Sequence, residues 1–131
     1  MKSQYNSDHG TIVNCMDGKV QLPAIDFSKH IWKVSWVDVV TEAVPEKILS
    51  EAKDQDTISR ICQNIEASLC GQQTKRLAIV AHSGCDINRV SDDKKKEMLR
   101  RAVGYLKNRY TDADVIGIWV DGKIKASKIE L

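Results

Sequence analysis

Leu77-Ala78-Ile79-Val80-Ala81 is the stretch that decides the fold of this 131-residue chain. An unbroken apolar run of strand length, with Ile and Val among its residues, describes a strand buried on both faces, and such strands belong to parallel sheets covered by helices. Upstream, Ile58, Ile61, Cys62, Ile65 and Leu69 recur at helical spacing, with Asp56 as the expected cap and Gly71 as the expected stop. Downstream, Ser91 followed by Asp92 and Asp93 opens a long helix whose apolar stripe is Met98, Leu99, Ala102, Val103 and Leu106. Lys94-Lys95-Lys96 is expected on the solvated side of that helix.

The flanking sequence repeats the alternation. Thr11-Ile12-Val13-Asn14-Cys15 reads as a first strand, Asp17-Gly18 as a turn, and Val20 to Trp32 as a helix with Pro23 near its start. Trp36 to Val40 reads as a second strand, stopped by Pro45, after which Ile48, Leu49 and Ala52 suggest one or two helical turns. Val115 to Val120 is a further strand, and Asp121-Gly122 signals a two-residue hairpin into an antiparallel strand between Lys123 and Ile129. The expected fold is therefore α/β: three layers, α/β/α, with a mostly parallel sheet of about five strands and an antiparallel C-terminal edge strand. Residues 1–10 are expected to form a polar N-terminal lead, with His9 at the surface, and residues 11–131 a single domain.

Composition narrows the function classes. A hydrophobic fraction of 42% and a charged fraction of 29% suit a globular chain with its own core. A net charge of +2 provides no field that would favour nucleic acid or an anionic membrane. No run approaches the roughly eighteen apolar residues of a membrane span, and the polar start lacks the apolar stretch of an export signal, so a cytoplasmic protein with reduced thiols is expected.

In an open parallel sheet the reactive crevice lies beyond the carboxyl ends of the strands, where strand order reverses. The first strand delivers Cys15-Met16-Asp17-Gly18-Lys19 and the third delivers His82-Ser83-Gly84-Cys85. If these strands are neighbours, two thiols, an imidazole and a carboxylate converge. Thiolate sulfur and imidazole nitrogen suit zinc, and three protein ligands with one position left for water or a weakly held carboxylate are the pattern of a catalytic site. The bland alternatives are that Cys15 and Cys85 are small buried hydrophobes and His82 a loop histidine, or that the two cysteines form a redox-sensitive disulfide. Cys62 and Cys70, on or near the stripe of one helix, read as structural, and His30 as a surface residue. A cysteine phosphatase is excluded, because six positions after Cys15 and Cys85 stand Gln21 and Ser91 where an arginine is needed.

These motifs, with the closing strand, Asp-Gly and strand of Val115 to Ile124, resemble the β-class carbonic anhydrases, of which the chain would be a small, divergent member. The resemblance implies that Cys15, His82 and Cys85 bind zinc, that Asp17 either pairs with a cation or takes the fourth zinc position, and that zinc-bound hydroxide attacks carbon dioxide to give bicarbonate. It also implies a homodimer, with the site at the subunit interface. Lys19 stands where the family has arginine, Asp86 where it has glycine, and Thr41-Glu42-Ala43-Val44-Pro45 where it has Arg-Asn-Ala-Gly-Asn. Lysine offers a point charge in place of a two-pronged guanidinium, which makes Asp17 and Lys19 the candidate catalytic pair whose geometry decides between an active enzyme and a silent zinc protein with a closed Cys15, His82, Cys85, Asp17 site.

Overall fold

The computed structural model describes residues 7–131. Its elements run β1 (His9–Cys15), α1 (Gln21–Trp32), β2 (Trp36–Glu42), α2 (Pro45–Glu51), α3 (Gln55–Gly71), β3 (Arg76–His82), α4 (Asp92–Arg109), β4 (Asp114–Val120) and β5 (Ala126–Lys128). The strands form one sheet in the order β2-β1-β3-β4-β5. The first four are mutually parallel and β5 runs antiparallel to β4. The chain therefore moves outward from β1 to β2, then returns across β1 to β3, so the reversal falls between β1 and β3.

The apolar run that reads as a doubly buried strand is the centre of the sheet, and residues 77 to 82 of β3 are all buried. Its odd-numbered side chains, Leu77, Ile79 and Ala81, pack with Val13 against Ile58, Ile61 and Ile65 of α3 and Leu99, Val103 and Leu106 of α4. Ala78 and Val80 belong to the opposite layer, with Ile12, Ile116, Ile118 and Ala24 of α1. One face thus carries α2, α3 and α4, the other α1. Gly117 sets how closely the first layer approaches β4: a β-carbon there would lie 2.6 Å from the Ile129 methyl and 3.0 Å from that of Val103.

Four local details differ from expectation. β1 starts at His9, ahead of the β-branched run, because the His9 carbonyl accepts a hydrogen bond from Thr74 Oγ1 (2.8 Å) and the strand pairs with β2 as far back as Trp36. The first six residues of the expected lead lie outside the described residues. The cap of α3 is Asp54, not Asp56, since Thr57 donates to it through both backbone N–H (3.1 Å) and hydroxyl (2.7 Å); Asp56 instead sits in the first turn, where the helix dipole favours a carboxylate. Lys95 is buried, and Lys96 lies 5.2 Å from the Trp119 ring centroid, so the lysine run is not a wholly solvated side. The hairpin turns through Gly122-Lys123-Ile124: Ile124 N–H donates to the Asp121 carbonyl (2.9 Å), and Asp121 N–H to that of Lys125 (3.0 Å). The Asp121 carboxylate also accepts from the Lys123 and Lys125 N–H groups, so this aspartate braces the loop from its edge.

Candidate metal centre

β1 ends on Cys15 and β3, its neighbour, ends on His82, both at the carboxyl edge of the sheet. Beyond His82 the chain turns through Gly84, whose φ of +71° is a conformation glycine adopts without penalty, and returns Cys85 to the site. The loop after β1 is pinned by Asn14, whose side chain donates to the Val20 carbonyl (3.2 Å), and by Gln21, whose amide donates to the Cys15 carbonyl.

The result is one cluster. The ligand atoms of Cys15, His82 and Cys85 all lie within 4.8 Å of one another, and all three side chains are buried. His82 Nδ1 is 2.9 Å from the Ser83 carbonyl. A carbonyl only accepts, so Nδ1 carries a hydrogen, and in the neutral ring Nε2 presents a lone pair. That Nε2 is buried and has no hydrogen-bond partner. A bare acceptor beside two sulfurs is costly unless an electrophile occupies the space, so the residues present fit a borderline-soft metal ion. Burial pushes the Cys85 thiol up, partly offset by the Asn88 and Ile87 N–H groups and reinforced by neighbouring Cys15.

Asp17 is engaged elsewhere. Its carboxylate accepts from the Lys19 backbone N–H (3.0 Å) and lies 3.2 Å from Lys19 Nζ. The Lys19 N–H holds the Asp17 carboxyl below its ordinary range, with the Lys19 ammonium and His82 acting in the same direction against partial burial. Cys15, Met16, Asp17, Lys19, Cys85 and Ile87 are among the residues that line a cavity of about 300 Å³ at the cluster.

Sequence reading missed two members of this neighbourhood. Glu46, at the start of α2, is 3% exposed and its Oε1 has no hydrogen-bond partner. Burial pushes its carboxyl up to about 7, opposed chiefly by His82, then by the Glu46 and Lys47 N–H groups and by Lys95. Nothing marked either residue: a glutamate after Pro45 is an ordinary first-turn residue, and Lys95 is hidden among like neighbours. The remaining candidates stay apart from the cluster: Cys62 is in the α3 core, while Cys70 and His30 are exposed.

A second cavity, of about 320 Å³, lies at the opposite edge of the sheet and is lined in part by Cys70, Arg109 and Tyr110. There the Tyr110 hydroxyl is 2.7 Å from a Glu66 carboxylate oxygen that also lies 3.6 Å from Arg109.

Residues 5–130 match the family model described as "Putative carbonic anhydrase". The chain belongs to that family. Among solved structures, β-carbonic anhydrase isoform I of Trichomonas vaginalis superposes with a TM-score of 0.62 at 13% identity, covering 94% of this chain and 82% of that one. The carbonic anhydrase of Streptococcus mutans gives 0.62 at 13% identity, covering 98% and 84%, and that of Glaciozyma antarctica 0.60 at 13%, covering 95% and 82%. These likenesses establish the shared α/β fold. No curated protein matches it.

Proposed function

We propose that this protein holds one zinc ion per chain on Cys15, His82 and Cys85 and hydrates carbon dioxide, or a related small heteroallene, to bicarbonate or its analogue. The observation that carries the reading is the buried, unpartnered His82 Nε2 beside the Cys15 and Cys85 sulfurs. When bound, zinc supplies a Lewis acid that lowers the pKa of a coordinated water toward about 7. The protein's own groups do the rest. The Ser83 carbonyl fixes the His82 tautomer, and Lys19 keeps the Asp17 carboxylate ionised and turned from the metal, free to take a hydrogen bond from solvent in the cavity.

Association into a homodimer belongs to the same proposal. Met16 and Ile87 line the cavity and are each 60% exposed, and Leu22 in the first turn of α1 is 68% exposed, an apolar surface that a second copy would cover. Two related enzymes of Sordaria macrospora are described as tetrameric. Residence in the cytoplasm accords with the buried thiols of Cys15 and Cys85, and no helix among the described residues is long and apolar enough to cross a membrane. Elemental analysis of protein purified without added metal, stopped-flow hydration and sedimentation test the three parts. One zinc per chain, measurable hydration and a dimer are expected; absence of zinc with no uptake on titration overturns the whole.

A second reading rests on the Asp17–Lys19 pair. The Lys19 side chain is 60% exposed, so solvent screens a pair that has only a point charge to hold it. If Asp17 swings to zinc and closes the fourth position, the protein is a silent zinc-binding relative with a structural or interaction role. Lys19→Arg separates the two: a hydration rate that rises only in the arginine variant identifies Asp17 as the gate, while silence in both supports the non-catalytic role.

A further inference from the structure

The sheet opens where the candidate ligands meet. β1 pairs with β2 as far as Cys15 with Glu42, and β3 with β4 as far as His82 with Val120. Between β1 and β3, by contrast, the register runs only from Thr11 with Leu77 to Val13 with Ile79. Cys15 and His82 thus project beyond the last pair that joins their strands, and the ladder alone does not fix the Cys15 main chain opposite His82 and Cys85. The two side chains that pin the loop after β1 do so from its opposite ends. Asn14, on the strand, donates through Nδ2 to the Val20 carbonyl (3.2 Å), and Gln21, the first residue of α1, donates back through Nε2 to the Cys15 carbonyl. α1 starts with neither a side-chain cap nor an acidic residue in its first turn, so its junction with β1 lacks the devices that usually hold a helix start.

Stability alone does not account for Asn14. The residue is fully buried, and while its Nδ2 is bonded, its Oδ1 has no hydrogen-bond partner. Ile12, on the same face of β1, packs in the apolar layer with Ala24 of α1. An apolar residue at position 14 would continue that layer without leaving a buried acceptor unsatisfied. Local rules are broken in this way where a residue serves a site.

We propose that Asn14 and Gln21 are positioning residues of the metal site, a reciprocal clasp that sets Cys15 where one ion can bridge it to His82 and Cys85. This rests on the zinc reading above and deepens it. Neither residue lines the cavity at the cluster, so both act through Cys15.

Two measurements on the full chain test the clasp without recourse to activity: competition with a chelator for zinc, and the thiolate-to-metal absorption of the cobalt(II) form, which follows the geometry of the sulfur ligands. Asn14→Leu and Gln21→Met match the natural side chains in branching and length and delete the donors. Each should hold zinc about tenfold more weakly and shift the cobalt absorption, the effect of losing a group that orients a ligand. Tyr110→Phe, at the opposite edge of the sheet, is the control and should leave both readouts in place. A lower melting temperature of the metal-free variants with affinity and absorption unmoved would make the two amides merely structural and overturn the proposal. An equal weakening of zinc in Tyr110→Phe would overturn it too, by tying affinity to stability at large. Should Asn14→Leu fail to fold by circular dichroism, Gln21→Met, at a half-buried position, carries the test. In either case the metal site itself stands, whereas a natural protein that takes up neither zinc nor cobalt overturns the zinc reading and the clasp together.

Discussion

The two edges of the sheet carry cavities of similar size and opposite character. At the amino edge, near the ends of α3 and α4, the polar groups satisfy one another: Tyr110 bonds to Glu66, and Arg109 lies against both. At the carboxyl edge, His82 Nε2 is buried without a partner beside the Cys15 and Cys85 sulfurs. Satisfied polar groups hold a fold together, whereas unsatisfied ones keep a place for something the chain does not supply. By that standard the amino edge reads as structure, and the carboxyl edge is where the proposed metal site belongs.

Removing the ligands should break the comparison most completely. Cys15→Ser or His82→Ala should take the metal content from one per chain to none, while Cys62→Ser, in the α3 core, should retain it. Elemental analysis decides this, and loss of metal in Cys62→Ser alone would mean that the ligands are misassigned.

A smaller effect concerns pH. In the metal-free protein the Glu46 carboxyl sits near 7 against an ordinary value of 4.5. A raised folded-state pKa means that the folded chain keeps a proton the unfolded chain releases, so stability is greatest below about pH 4.5 and declines up to about pH 7, where the loss levels off. The contribution is on the order of 3 kcal/mol. Urea unfolding of Glu46→Gln across that window should remove this part of the slope. A slope unchanged by the substitution would assign it to other groups.

At the amino edge, Tyr110→Phe should cost about 1 kcal/mol by deleting the hydroxyl that Glu66 and the Cys62 carbonyl share. Metal content should be untouched. A Tyr110→Phe protein that loses zinc would show the two edges to be coupled. The smallest expected effect lies in the β4–β5 loop. Ile124 holds φ at +62° with a β-branched side chain, so Ile124→Gly should stabilise the chain by up to about 1 kcal/mol through relief of that conformation. Thermal unfolding checks it, and a lower melting temperature would show that the Ile124 side chain contributes more by packing than it costs in strain.

The legibility of these regions followed from how many residues share each signal. The buried run of β3 and the stripes of α3 and α4 are repeated over many positions, so the sheet and its helices could be read from periodicity. The strand exits could be read because cysteine and histidine are scarce in this chain. Glu46 and Lys95 could not, since their chemistry comes from burial between α2 and α4, a property of packing across distant segments that leaves no local pattern. The Asp54 cap was missed for a narrower reason. Asp54 and Asp56 are both sound N-terminal residues, and the hydroxyl of Thr57 chooses between them.

The strand order has a consequence for synthesis. β1 is the first strand made, yet its inner neighbour is β3, joined through pairs such as Thr11 with Leu77, while β2, α2 and α3 are all translated in between. Cys15 therefore emerges well before the segment that carries His82 and Cys85. Until that segment arrives, its sulfur has no ligand partners and is open to oxidation or to capture by stray thiophilic ions. Assembly of the Cys15, His82 and Cys85 cluster is a late step governed by long-range strand pairing.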